Sequence, residues 1–173
     1  MITAGHCGNL GTTWLNGTRT YTVGTVQFRT IDNGTNDAEL LGGATYAAYI
    51  YTASTTFAPV RGTFYACSGC YVRFDGSKTG GAYAYVGNSN TSCQTISYGS
   101  SGGTYYACNL VEATSTGIAP CQYGDSGGPV YVTNGNALYA VGIITALKSS
   151  SPTCWYTQIQ PILSYWTSTI ATG

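Results

Sequence analysis

The chain has 173 residues, 43% of them apolar and only 7% charged, and six basic side chains balance six acidic ones to a net charge of zero. That length and apolar content provide for one or two small domains with a buried core and exclude a disordered chain. No Lys/Arg cluster exists to bind nucleic acid or an anionic membrane, and no apolar run approaches the length of a membrane span.

Seven cysteines are spread through the chain at Cys7, Cys67, Cys70, Cys93, Cys108, Cys121 and Cys154. With few charges and abundant Thr, Ser, Gly and Tyr, they point to an oxidising, extracellular setting. Zinc would need clustered ligands. Only Cys67 and Cys70 have such spacing, and His6 is the only histidine, so no metal and no cofactor are expected.

Met1-Ile2-Thr3-Ala4 reads as the end of a buried strand, and Gly5-His6-Cys7-Gly8 as a turn. The chain reaches this motif with no signal peptide, so sequence upstream of Met1 is expected. Short Thr/Tyr/Val-rich runs at 12–14, 19–23 and 26–30 are separated by Asn16-Gly17 and Gly24, which read as hairpin punctuation. The polar loop 32–37 carries two carboxylates. Asp32-Asn33-Gly34 has the form of a capped turn, which leaves Asp37 directly before the apolar run Ala38-Glu39-Leu40-Leu41. An aromatic run at 46–51 and a polar stretch at 52–56 mark a connection, so residues 1–55 and 56–173 are expected as two units.

Further strands are predicted around 60–62, 70–74 and 82–86. Cys93–Tyr98 and Thr104–Cys108 flank Gly99-Ser100-Ser101-Gly102-Gly103. Cys93 and Cys108 lie symmetrically about the middle of that loop. In a regular hairpin they would face each other at a separation that suits a disulfide. Gly124-Asp125-Ser126-Gly127-Gly128 then sets a serine between glycines, whose backbone can take a sharp turn. It runs into Pro129 and the apolar Val130-Tyr131-Val132. A strongly apolar strand is predicted at 138–144. Pro161 suits the first turn of a helix, with Ile162, Tyr165, Trp166 and Ile170 at helical spacing. Strands of about 5–8 residues with turn signals between them make the chain all-β with a terminal helix.

A serine hydroxyl attacks a carbonyl only with a base in reach and a third group holding that base. Ser126, His6 and Asp37 supply the three roles, since histidine is the side chain suited to proton transfer near neutral pH. Their order along the chain is His, Asp, Ser.

That order, with TAGHC at 3–7, NDAELL at 36–41 and GDSGGP at 124–129, resembles the chymotrypsin-like serine peptidases. The TAGHCG form and the segment 60–80 look most like the bacterial secreted branch, similar to alpha-lytic protease and the streptogrisins. YTQIQPILSYW at 156–166 is similar to the family's last strand and C-terminal helix. The resemblance covers the whole chain. It implies two six-stranded antiparallel β-barrels with the site in the cleft between them, the first lacking its opening strands in this sequence.

Carried over, His6 is the general base, Asp37 its orienting carboxylate and Ser126 the nucleophile that forms an acyl-enzyme. The N–H groups of Gly124 and Ser126 form the oxyanion hole. Asp125 is a buried carboxylate that needs a partner. The branch's arginine falls at Ser77, so Lys78 or Arg73 is expected to substitute. Cys121 and Cys154 match the pair that braces the substrate pocket. Cys7 is left unpaired, because the family's partner lies on an earlier strand. Cys67 and Cys70 remain, with a bond between the two as one option.

The resemblance also places Ala119 and Pro120 at the pocket base. With no Asp there, Arg and Lys substrates are disfavoured. Thr145-Ala146-Leu147 would pair with the substrate backbone, with Leu147 narrowing the pocket or shifting the preference toward small apolar residues. The implied protein is a secreted, monomeric serine endopeptidase acting on polypeptides. Two other readings are a catalytically silent relative that uses the fold for binding, and a carbohydrate-binding β domain using the sixteen tyrosines. The three catalytic words argue against both.

Overall fold

The computed structural model describes residues 1–53, 55–99 and 103–173; the middle of the expected 99–103 loop lies outside them. Four antiparallel strands form the first sheet in the order β1 (Ile2–Thr3), β4 (Glu39–Gly42), β3 (Thr22–Arg29), β2 (Thr13–Leu15). The larger sheet carries β5 (Tyr49–Tyr51), β6 (Phe57–Thr63), β7 (Cys70–Gly76), β8 (Gly80–Val86), β9 (Ser92–Ser97), β10 (Thr104–Thr114), β11 (Pro129–Asn134), β12 (Ala137–Leu147) and β13 (Thr153–Gln158). β11 pairs with β12 as well as with β7, so pairing runs in a ring through β11, β7, β8, β10, β13 and β12. A helix, α1 (Ile159–Tyr165), follows directly. This is the all-β arrangement with a C-terminal helix that the sequence implies; the first sheet holds four strands, and in the larger one β6 pairs with β12 in parallel.

Alternation explains the ring. Val72 and Phe74 on β7, Ala84 and Val86 on β8, and Val111 and Ala113 on β10 point inward at every second position. They close on Val130, Val141, Ile144 and Tyr156 around the buried Cys121–Cys154 disulfide. Each large apolar side chain buried this way contributes about 1.5–3 kcal/mol. A second cluster joins Ala38 of the first half to Val60, Tyr131, Leu138, Ile143 and the α1 residues Ile159 and Ile162. It anchors the residue next to Asp37 against the larger sheet.

Two expectations shift. Gly24 does not end a strand; it sits inside β3, where the Tyr46 hydroxyl and the Gly42 carbonyl crowd it and leave no room for a side chain. The helix stops at Tyr165, so Ile170 packs on the second cluster from beyond its end.

The disulfides are Cys67–Cys70, Cys93–Cys108 and Cys121–Cys154, and Cys7 is free. β9 and β10 pair Thr104 with Ser97 through Ala107 with Gln94, a register that sets Cys93 opposite Cys108, Cα atoms 3.9 Å apart. A bulge follows at once, with Asn109 at φ 57°.

Candidate active site

Gly5–Cys7 form a 3-10 turn after β1. Gly5 presses on the backbone of Ala38, where a methyl group would stand 2.8 Å from the carbonyl oxygen. This approach sets His6 beside Asp37. The His6 backbone N–H donates to Asp37 Oδ1 at 2.9 Å, and the ring Nδ1 lies 2.7 Å from Oδ2. Asp37 is wholly buried. An imidazole that directs its Nδ1–H at a carboxylate keeps Nε2 as the acceptor that base chemistry needs. Arg29 separates the loop's two carboxylates: its Nε holds the Gly5 carbonyl at 2.7 Å, and its Nη1 binds the exposed Asp32 at 2.9 Å.

The larger sheet reaches this pair through the β9–β10 hairpin. Tyr98 lies flat on the His6 ring, centroids 3.5 Å apart and planes 9° apart, and its hydroxyl donates to Asp37 Oδ2 at 3.1 Å. The Cys108 N–H donates to the Thr35 carbonyl at 2.6 Å, and Asn109 Nδ2 donates to the buried Asn36 Oδ1 at 2.8 Å. The sequence reading misses Tyr98, whose only signal is its place just after the β9 run.

Ser126 sits in a turn stitched to β12. The Gly127 N–H bonds the Ile144 carbonyl at 2.8 Å, and the Ile144 N–H bonds the Gly128 carbonyl at 2.9 Å. Gly124 and Gly127 have φ of 95° and 80°, which glycine adopts without strain. A side chain at Gly127 would strike Thr3 and stand 2.9 Å from the Ala4 nitrogen, so the turn docks on the strand leading to His6. Among the described residues the N–H groups of Gly124 and Ser126 make no hydrogen bond within the protein, and no hydrogen bond joins His6 to Ser126.

Asp125 corrects an expectation. Its buried carboxylate meets no cation; neither the Lys78 ammonium nor the Arg73 guanidinium bonds it. Instead it accepts the N–H of Lys78 at 2.6 Å, the N–H and hydroxyl of Thr79 at 3.1 and 2.5 Å, and the N–H of Gln122 at 2.8 Å. Four oriented donors replace the missing arginine, as charge-assisted hydrogen bonds can. Arg73 turns to Asp75, 3.4 Å away, and to the Thr52 carbonyl.

Behind the His6 turn, Glu39 is fully buried and, among the described residues, its carboxylate oxygens make no well-formed hydrogen bond, although Gly8 and the Trp14 indole lie close by. Burial pushes this carboxyl up to about 7, with the Asp37 charge adding to the rise and Trp14 and Arg29 opposing it. Burial, and then the Asp37 and Glu39 charges, push the Cys7 thiol up to about 12.

A cavity of about 410 Å³ opens beside Ser126. Thr145, Ala146 and Leu147 line it, together with Tyr98, Gln122, Lys148 and Trp155. Ala119 and Pro120 do not. Ala119 packs on the core cluster and Pro120 is buried, in the irregular segment between β10 and Cys121. Lys148 and the Trp155 indole both donate to Glu112 Oε1 at 2.9 Å, which neutralises the one cation on this wall. Among the described residues no group of His, Cys, Asp and Glu gathers that could hold a metal ion, and no helix is long and apolar enough to cross a membrane.

These features define a chymotrypsin-like β-protein, and solved structures give the comparison its scale. A chymotrypsin from Cellulomonas bogoriensis is 26% identical, with a TM-score of 0.73 over 99% of this chain and 85% of that one. Protease A of Thermobifida fusca is 24% identical, with a TM-score of 0.71 over 99% of this chain and 84% of that one. A glutamic acid-specific serine protease that uses a histidine triad in substrate binding is 22% identical, with a TM-score of 0.73 over 98% and 85%. The neighbours over nearly the whole chain are thus bacterial chymotrypsin-like serine proteases, and the fold is theirs. No family profile matches the sequence, and no curated protein matches it.

Proposed function

We propose that the chain is a secreted serine endopeptidase that hydrolyses polypeptides through His6, Asp37 and Ser126. The observation that carries this reading is the 2.7 Å contact of His6 Nδ1 with the buried Asp37, beside a glycine-flanked serine docked on the same strand end. In this mechanism Ser126 Oγ attacks the scissile carbonyl carbon while its proton passes to His6 Nε2. The carbonyl oxygen takes the negative charge and is met by the free N–H groups of Gly124 and Ser126. His6 returns the proton to the leaving amine, and an acyl-enzyme remains. Water repeats the sequence, with the serine as leaving group. Asp37 stays ionised and holds the imidazolium that forms in each step.

The three disulfides support export to an oxidising compartment. The cavity supports a neutral side chain before the cleaved bond. Its one carboxylate neighbour, Glu112, is already bonded to Lys148 and Trp155, so a substrate Arg or Lys would be buried without a counter-charge. The chain's single histidine is bonded to Asp37, which leaves none for a histidine triad in substrate binding like that of the glutamate-specific relative.

An organofluorophosphonate should add covalently to Ser126, as read by peptide mass, and His6→Ala should abolish the adduct. A folded protein that stays unlabelled would overturn the enzyme reading and leave a protease fold used for binding.

A further inference from the structure

We propose that Tyr98 is a positioning residue of the active site, clamping the His6–Asp37 pair from the opposite sheet. The proposal rests on the catalytic reading above. The ring covers one face of the imidazole at 3.5 Å, nearly parallel. The hydroxyl donates to Asp37 Oδ2, the same oxygen that receives His6 Nδ1. One side chain therefore restricts rotation of the base and fixes the carboxylate that orients it.

The clamp is itself held. Tyr98 leaves β9 through a hairpin closed by the Cys93–Cys108 disulfide and by its own N–H on the Gly103 carbonyl at 2.9 Å. The same hairpin bonds Thr35 and Asn36, the two residues before Asp37. The loop carrying the carboxylate and the tyrosine that caps it thus share one brace, although they stand 61 residues apart. Among the described residues no other side-chain hydroxyl bonds Asp37. Burial, and then the Asp37 charge, push the Tyr98 phenol far above its ordinary range, so the hydroxyl remains a donor at any working pH.

The hydroxyl acts on the pair's charge balance as well as on its geometry. As a donor it takes up part of the Asp37 negative charge. Without it, more of that charge falls on the imidazole, and protonated His6 is favoured.

The test measures kcat and KM against pH for the wild type, Tyr98→Phe and Tyr98→Leu, with rates normalised to the fraction of Ser126 labelled by fluorophosphonate. Tyr98→Phe keeps the stack and loses one charge-assisted hydrogen bond, so kcat should fall about 10-fold. Its acid limb of kcat/KM should move to higher pH. Tyr98→Leu loses the stack as well and should fall about 100-fold. A wild-type protein that does not label would overturn the catalytic reading, and this proposal with it. A wild type that labels while Tyr98→Phe matches it in kcat and in pH profile would overturn the clamp alone. So would an effect confined to KM, which would make Tyr98 a cavity wall. Thermal melts identify a misfolded Leu variant, and the nearly isosteric Phe variant then decides.

Discussion

Cys7 stands next to His6, yet its environment holds the thiol protonated. Partial burial and the nearby Asp37 and Glu39 charges push it up to about 12, so almost no thiolate exists at pH 8. The expected outcome is that iodoacetamide leaves Cys7 unmodified in the folded protein at pH 8 and alkylates it after denaturation, as counted by mass spectrometry. Fast alkylation of the native chain would contradict this environment. Gly5 gives a second test at the same scale. A methyl group there would stand 2.8 Å from the Ala38 carbonyl, so Gly5→Ala must move the His6 turn away from Asp37. A displacement of that kind can cost about 100-fold in kcat/KM. Wild-type kcat/KM in a folded Gly5→Ala protein would show that the contact does not set the register. His6, Asp37 and Ser126 are readable in the sequence because each sits in a short, chemically constrained word. Tyr98 is not, because its meaning depends on which loop the β9–β10 hairpin lies against.

The elements around Ser126 show where a charge rule misleads. A buried carboxylate at Asp125 demands compensation, and the sequence offers only Lys78 and Arg73 as cations nearby. The β7–β8 turn compensates it instead with backbone N–H groups of Lys78 and Thr79 and the Thr79 hydroxyl, while Gln122 adds a fourth donor. Backbone donors are invisible in a sequence, since every residue but proline carries one. The side-chain donor is testable. Thr79→Val keeps the shape and removes the 2.5 Å bond, which should lower unfolding stability by about 1–3 kcal/mol. Denaturant melts in a Ser126→Ala background avoid self-cleavage during the measurement, and an unchanged midpoint would mean that the three N–H groups suffice. The β9–β10 hairpin is the opposite case. Its register is legible from the mirrored spacing of Cys93 and Cys108, whereas the bulge at Asn109 is set by the contact of Asn109 with Asn36 and leaves no sequence pattern.

Across the whole molecule the acidic side chains number six, so single carboxylates can govern how stability depends on pH. Asp32 binds Arg29, Asp37 binds His6 and Tyr98, Asp75 accepts the Tyr131 hydroxyl, Glu112 binds Lys148, and Asp125 has four donors. Glu39 differs, since it is fully buried and its oxygens make no well-formed hydrogen bond among the described residues. Burial raises its carboxyl to about 7 in the folded chain, from 4.5 when it is free. Between those two values the folded state binds more protons than the unfolded state, so stability falls as pH rises through that window and levels off above it. The full loss is about 3 kcal/mol, taking 1.36 kcal/mol for each pH unit of difference. Glu39→Gln cannot ionise. Its melting temperature should therefore change less than that of the parent between pH 4.5 and 8 in the Ser126→Ala background. At pH 4.5 the two proteins differ only by the amide's own cost of burial, and by pH 8 the balance should have moved toward Glu39→Gln by the 3 kcal/mol equivalent. Parallel melting curves across that range would mean that a hydrogen bond from the Trp14 indole and the charge of the Arg29 guanidinium hold Glu39 ionised in solution. The carboxylate behind Asp37 would then carry its charge across that whole pH range.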